Sequence, residues 1–321
     1  MEADKKQEAE RQAEGAKQVL GTTAKGIGPT YAAKSLRMGL RVGDLADWDL
    51  FLEKYDRFVE VFEKQFSLSN FDKQQELDQF RQLYEKFNGS GDKMIVDGID
   101  YMHEALTNSN KRIIAEGANA TMLDIDLGTY PYVTSSSTGI GGVGTGLGVP
   151  PQSVETTIGI MKAYTTRVGA GPFPTWLDNE IGDTIQEVGH EFGATTGRRR
   201  KCGWLDLNVV KYAHKLNGFH SLNITKLDVL TGIKDLKIAT HYTHKGRELQ
   251  GSMPATVEEL AECETVYVDM PGWTEDISKC SSFEELPLNA RNYIEFIEKE
   301  VNVPITWIGN GPAREEMFLK H

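Results

Sequence analysis

Between residues 207 and 308, short apolar runs alternate with stretches of helical spacing, and this pattern constrains the fold more than any other feature. The runs are residues 222–225, 236–240, 265–268 and 305–308; helical spacing marks 207–216, 257–263 and 289–300, preceded by 154–164 and 178–191. Strands separated by helices pair in parallel, because each helix carries the chain back across one face of the sheet by a right-handed crossover. The fold class expected is therefore α/β, a mostly parallel central sheet flanked by helices. Further upstream, Trp48, Phe51, Leu52, Tyr55, Phe58, Val59, Phe62 and Phe66 recur at threes and fours and predict one long helix. Ile95, Ile99, Met102 and Leu106 predict a second, and residues 112–115 read as a short strand running into Glu116, Gly117, Ala118 and Asn119. Loops that follow strands are where such sheets bind ligands.

Charge narrows the function classes. With 35 Lys and Arg against 47 Asp and Glu, the net charge is −12, which disfavours a surface for nucleic acid or anionic lipid. Any phosphate has to be held locally. The three cysteines, Cys202, Cys263 and Cys280, form no C-x-x-C pair, so neither a disulfide framework nor a four-cysteine zinc site is available, and a reducing cytoplasm fits. No run of eighteen apolar residues occurs, and the first seventeen residues carry alternating charges with only alanine as apolar content. A polar, exposed start over residues 1–20 is expected.

Four short motifs carry possible chemistry. Gly139, Gly141 and Gly144 satisfy G-x-G-x-x-G, but the residues from Gly144 on, with Gly146, Gly148, Pro150 and Pro151, cannot open the helix that a dinucleotide-binding loop needs. His190 and Glu191 begin an H-E-x-x-H match that fails at Ala194, which excludes a zincin. His241 and His244, three apart near a strand end, fit a surface turn better than a metal pair. The run Arg198, Arg199, Arg200, Lys201 follows Thr195, Thr196 and Gly197. It reads either as a solvated charged face or as an anion site in which hydroxyls and a flexible backbone precede guanidinium forks.

Thr225, Lys226, Leu227 and Asp228 follow an expected strand directly. An ionised aspartate only accepts hydrogen bonds, so Asp228 is suited to the ring N–H and exocyclic amine of guanine, a donor pair that adenine lacks. The Lys226 stem can cover the base plane. There is no Gly-Lys dipeptide, hence no G-x-x-x-x-G-K-[ST] loop to cradle the phosphates.

Taken in order, residues 21–37, 116–136, 167–175, 189–207, 225–228 and 308–314 resemble the motifs of the adenylosuccinate synthetase family. The resemblance implies that family's P-loop-related fold and a GTP-dependent ligase that joins IMP and L-aspartate into adenylosuccinate, with GDP and phosphate released. This is the first committed step from IMP to AMP. It also implies magnesium and a homodimer. In the family, an aspartate base takes the N1 proton of IMP, the 6-oxygen attacks the γ-phosphoryl group, and the aspartate amine then displaces phosphate.

Carried over residue by residue, the resemblance gives Thr23, Asn119 and Thr134 to IMP, Arg37 to the IMP phosphate of the other subunit, and Val168 to the ribose. Ala194, Thr195, Thr196, Gly197 and Arg198 match the aspartate-binding loop, with Arg198 also reaching toward IMP and Arg200 toward GTP. Lys226, Leu227 and Asp228 with Gly309, Asn310 and Gly311 match the guanine pocket. Asn119 stands where many members have Gln, which keeps the amide and shortens its reach. The W-G-D-E-G-K-G-K loop with the base and a magnesium ligand, and the N-N-A-G-H-T segment with a catalytic histidine, have no counterpart in these residues.

The expectation is accordingly an N-terminally truncated member whose catalytic residues and metal ligands lie outside this sequence. Residues 21–321 would form an incomplete domain, with a helical IMP and dimer part at about 21–110 and a nucleotide- and aspartate-binding part at about 111–321. The alternative is a non-catalytic remnant that dimerises or binds nucleotide.

Overall fold

The structure, a computed structural model, describes residues 5–6, 9, 23–66, 71–89, 94–193 and 197–320. It divides into two compact units: one from the described residues up to Gly117 with 134–137 and 142–153, the other from 118–133, 138–141 and 154 onward.

The first unit is helical. Helix α1 (Ile27–Ser35) is followed by α2 (Trp48–Phe66), α3 (Lys73–Asn88) and α4 (Gly98–Thr107). Each of the last three starts on an aspartate whose side chain accepts from backbone N–H groups of the first turn: Asp47 from Leu50, Asp72 from Gln75, Asp97 from Ile99 and Asp100. The expected aromatic stripe of α2 buries Phe51, Tyr55 and Val59, and the Phe51 and Phe80 rings meet at 5.1 Å.

Helix α3 has no counterpart in the sequence reading. Lys73–Asn88 is strongly charged and buries no residue fully, so it offers little pattern; it is held by Leu77, Phe80, Tyr84 and Phe87, partly buried against α2. The second expected helix begins only at Gly98, leaving Ile95 ahead of it.

The second unit carries the sheets. In the first sheet β1 (Ile158–Lys162), β5 (Ser221–Thr225) and β9 (Ile305–Gly309) run parallel, with β10 (Met317–Leu319) antiparallel at the edge, in the order β1-β5-β9-β10. In the second, β6 (Asp235–His244) pairs in parallel with β4 (Leu205–Asp206) and antiparallel with β7 (Arg247–Leu249) and β8 (Glu264–Pro271). A short ribbon joins β2 (Thr165–Arg167) to β3 (Lys201–Gly203). Of the helices, α6 is Glu180–Val188, α7 Leu207–Asn217, α8 Val257–Ala261 and α9 Leu288–Val301; α7 packs on β6 and α9. Ile294 and Ile297 of α9 join Leu222, Ile224, Ile238, Ile305 and Ile308 in one core, each side chain contributing about 1.5–3 kcal/mol of burial. The α/β expectation holds, and the parallel pairing sits mainly in the first sheet.

Three local expectations are corrected. Residues 154–164 are not helical: β1 occupies 158–162, with Ile158 through Lys162 in register with Ser221 through Thr225. Thr156, Thr157, Ile158 and Ile160 favour extended backbone. A Cβ on Gly159 would lie 2.7 Å from Leu222 and 2.9 Å from Phe219, so the glycine permits the close approach of these side chains. Residues 112–115 join no sheet among the described residues, and Ile114 is 93 % exposed. The glycine run does open a helix, α5 (Gly141–Leu147), but no strand leads into it, so the dinucleotide-loop context is still missing.

Candidate functional site

Strands β5 and β9 are neighbours, and both run out at the same edge of the parallel sheet. After Thr225 the chain turns through Lys226 at φ 60°, a left-handed conformation, and enters a short 3-10 turn over Asp228–Leu230. Leu227 is fully buried and its N–H donates to the Gly309 carbonyl at 3.2 Å, which ties the two strand ends together. On the β9 side a Cβ on Gly309 would lie 3.4 Å from the Thr225 Cα, an ordinary contact, and one on Gly311 would meet the movable Glu316 carboxylate at 2.5 Å.

Two acceptor oxygens at this edge are buried without partners, Asp228 Oδ1 and Asn310 Oδ1. The Asn310 amide Nδ2 is fixed by donating to the carbonyls of Ile277 and Cys280 at 2.6 and 2.9 Å. Burial pushes the Asp228 carboxyl up from the usual range, opposed first by a hydrogen bond from its own backbone N–H and then by the Lys226 charge and the Val229 N–H. Buried acceptors left unpaired cost about 1–3 kcal/mol each, so each of these two oxygens calls for a donor that the described residues do not supply.

Below this turn lies a residue that the sequence reading used only as half of a failed metal motif. Glu191 is fully buried. Its Oε1 accepts from Tyr164 Oη at 2.6 Å and Lys226 Nζ at 3.1 Å, its Oε2 from Arg200 at 2.7 Å, and Lys162 Nζ reaches both oxygens at 2.8 Å. Burial alone would raise its pKa, but the hydrogen bonds from Lys162, Tyr164 and Arg200 outweigh it and hold the carboxyl at about 2. Lys162 is pulled down, first by burial and then by its cationic neighbours Arg200 and Lys226, against the pull of Glu191. One carboxylate serving three cations leaves a local excess of two positive charges in a chain whose net charge is −12.

The basic run does not act as one surface. Arg200 turns in to Glu191, whereas Arg199 donates to Gln186 at 2.8 Å and to Asp183 at 3.1 Å on α6. Lys201, on β3, lies 4.0 Å over the Trp176 ring. Phe192 and Arg199 form an antiparallel bridge, the Gly193 N–H donates to the Arg198 carbonyl at 2.8 Å, and Gly197 takes φ 64°. These contacts close the base of a loop whose tip, Ala194, Thr195 and Thr196, lies outside the described residues. Arg198 is exposed at that base.

The remaining candidates divide between the units. Thr23, Arg37 and Thr134 belong to the first unit, Asn119 and Val168 to the second. Thr23 and Arg37 are exposed on either side of α1, Arg37 at φ 61°. Thr134 Oγ1 lies 3.4 Å from Ser136 Oγ, and Asn119 is exposed at φ 68°. Val168, 46 % exposed, follows β2 in a loop held by Arg167, a residue the sequence reading passed over. Its guanidinium donates to the Ala170 carbonyl at 3.0 Å and to Thr129 Oγ1 at 3.3 Å.

Among the described residues no three His, Cys, Asp or Glu side chains converge to hold a metal ion. His241 and His244 both lie within β6, and a spacing of three puts them on opposite faces. The cysteines are unpaired, and no described helix is long and apolar enough to cross a membrane.

A parallel sheet with unpaired acceptors near its strand ends, beside a cation cluster, makes this an α/β protein with a candidate site at that edge. Comparison with known proteins narrows this class. The adenylosuccinate synthetase family profile matches residues 1–318. The chain is 52 % identical to the adenylosuccinate synthetase of Paramecium tetraurelia over all of its own length and 72 % of that protein. It is 51 % identical to that of Candida tropicalis over 99 % of its length and 73 % of the relative. The structure superposes on a fully ligated adenylosuccinate synthetase from Plasmodium falciparum with a TM-score of 0.95 at 42 % identity, covering all of this chain and 75 % of that one. The chain belongs to the adenylosuccinate synthetase family, ligases of purine nucleotide biosynthesis that use GTP.

Proposed function

We propose that this chain binds GTP, IMP and L-aspartate and belongs to the machinery that joins the last two at the expense of the first. In this reading Asp228 accepts the two N–H donors of guanine, the Lys226 stem covers the base, and the tight backbone of Gly309, Asn310 and Gly311 forms the opposite wall. Leu227 anchors the turn from within the core, and Arg200 reaches the GTP phosphates. Ala194, Thr195, Thr196, Gly197 and Arg198 receive aspartate. Thr23, Asn119, Thr134, Val168 and Arg198 receive IMP, and Arg37 acts across a homodimer. Cytoplasmic residence belongs to the same reading, supported by three unpaired cysteines.

The chemistry asks the protein to position groups and neutralise charge. Phosphorylation turns the 6-oxygen of IMP into a good leaving group, and the amine nitrogen of aspartate takes its place as phosphate departs. Magnesium would screen phosphate charge, although among the described residues no three His, Cys, Asp or Glu side chains converge to hold it. No residue here matches the family's general base, its histidine or its glycine-rich loop. We therefore also propose that these 321 residues by themselves bind nucleotide without turnover. Adenylosuccinate formation by the purified chain at the rate of a family enzyme would overturn that.

The observation that carries the guanine assignment is the unpaired, buried Asp228 Oδ1 at the end of β5. Asp228→Asn exchanges one acceptor oxygen for a donor amine, which opposes the exocyclic amine of guanine but suits the oxygen that xanthine has there. The unmatched pair costs about 1–3 kcal/mol, on the order of 5- to 150-fold in affinity. Calorimetric titration should show GDP weakening and XDP strengthening in the variant. An unchanged preference for GDP would show that Asp228 does not read the base.

A further inference from the structure

Glu191 is the point on which three cations from separate elements converge. Lys162 ends β1, Lys226 occupies the turn after β5, and Arg200 stands at the base of the arginine loop just before β3. Their side chains are 26 %, 36 % and 28 % exposed, whereas the Glu191 carboxylate is inaccessible. Each cation therefore faces solvent on one side and the same buried carboxylate on the other.

The surroundings of Glu191 are built to hold it still. Its backbone carbonyl accepts from Gln186 Nε2 at 3.1 Å and the Arg200 N–H at 2.9 Å. Tyr164, itself buried, donates to Oε1. Lys226 Nζ is pinned a second time by the Gly189 carbonyl at 2.5 Å, and Lys162 Nζ donates to Thr166 Oγ1 at 2.9 Å.

We infer that Glu191 is a positioning residue for nucleotide binding: it ties Lys226 beside the base site to Arg200 beside the phosphate site, so that the two grip a guanine nucleotide as one unit. This rests on the guanine reading of Asp228 and the phosphate reading of Arg200 proposed above. Glu191 itself touches no ligand; it acts through the two cations, and Lys162 supports them from below.

Simple electrostatics and positioning predict opposite signs. Glu191→Gln removes a negative charge and takes the cluster from an excess of two positive charges to three. If the cations served only as a field, a nucleoside diphosphate would bind more tightly. If Glu191 holds them in place, the amide places its own N–H groups against cations that need an acceptor, Lys226 and Arg200 drift apart, and binding weakens.

The test is calorimetric titration of GDP into the 321-residue chain and its variants, with near-ultraviolet circular dichroism to verify folding. Glu191→Gln should weaken GDP at least tenfold while keeping the native spectrum. An affinity unchanged or increased would overturn the inference and leave the guanine reading standing, whereas a parent chain that binds no GDP would overturn both.

A second measurement does not depend on the tolerance of the core at 191. Arg200→Met and Lys226→Met are compared with the double variant. If the two residues act as one grip, each single change forfeits most of what the pair provides, and the combined loss falls at least threefold short of the product of the single losses. Losses that multiply to within twofold would show two independent contacts and remove the role assigned to Glu191.

Discussion

Asp206 shows how a single buried carboxyl makes the stability of this chain depend on pH. It lies at the entrance to α7, where Oδ1 accepts from the Val209 N–H at 3.3 Å and Oδ2 from the Tyr242 hydroxyl. Burial pushes its pKa to about 6, against the lowering effect of those bonds. The native carboxyl keeps its proton up to about pH 6, whereas the unfolded chain releases it near pH 4. Its contribution is thus fully present below pH 4 and is lost as pH rises through 6, about 3 kcal/mol in all for a shift of about two units. Glu191 runs the other way, contributing above its ordinary value near 4.5 and losing that contribution as pH falls through about 2. Asp206→Asn keeps the cap acceptor without the charge. Urea unfolding should therefore show the parent losing about 3 kcal/mol relative to this variant between pH 4 and 7; parallel pH profiles would contradict the assignment. Of the polar residues in the candidate site, Asp228 was visible in the sequence as a candidate because it closely follows an expected strand. Glu191 was not, because its partners lie 29 residues before it and 9 and 35 after it, and only the fold brings them together.

At the scale of elements, α6 holds the arginine loop through Gln186 and Asp183, and it approaches the preceding chain at Gly182. A Cβ there would lie 2.0 Å from the Leu177 carbonyl oxygen. Alanine is ordinarily the better helix residue by about 1 kcal/mol, yet Gly182→Ala has to push backbone apart and should destabilise by about 1–3 kcal/mol. Gly98, at the first position of α4, has nothing within 4 Å of the corresponding Cβ. Gly98→Ala should stabilise by about 0.4–1 kcal/mol through the unfolded chain. Thermal melts of the two variants should move in opposite directions, and a shared direction would sink the close-approach argument. The elements that sequence misjudged share a cause. Residues 158–162 form a short apolar run compatible with either period, and what makes it a strand is a parallel partner at 221–225. Lys73–Asn88 hides its apolar positions among charges because it packs on α2 through one leucine and three aromatics that are only partly buried. Long runs with one clear period, such as α2 and α9, were readable because burial of one face is a local property.

Over the whole molecule, charge and core are distributed unevenly, and both have consequences. A chain with a net charge of −12 repels polyanions at long range, and against that background Lys162, Arg200 and Lys226 concentrate positive charge around one buried carboxylate. The cores differ as sharply. The second unit surrounds its sheets with an extensive cluster that includes fully buried Leu222, Ile224, Ile238, Ile294 and Ile305, whereas the helical unit centres on Leu45, Phe51, Tyr55 and Val59. Burial supplies most of the free energy that opposes local opening, so amides resting on the smaller cluster open at lower cost. Hydrogen exchange followed by mass spectrometry should show peptides from α2 and α3 exchanging on the order of a hundredfold faster than those from β5, β6 and β9, an opening difference of about 3 kcal/mol. On the proposed guanine reading, adding GDP should slow exchange around residues 189–193, 197–200 and 225–231 and leave α2 and α3 unchanged. Equal protection across both units without ligand would mean that the chain opens as one cooperative body, and the two cores would then have to be treated as one.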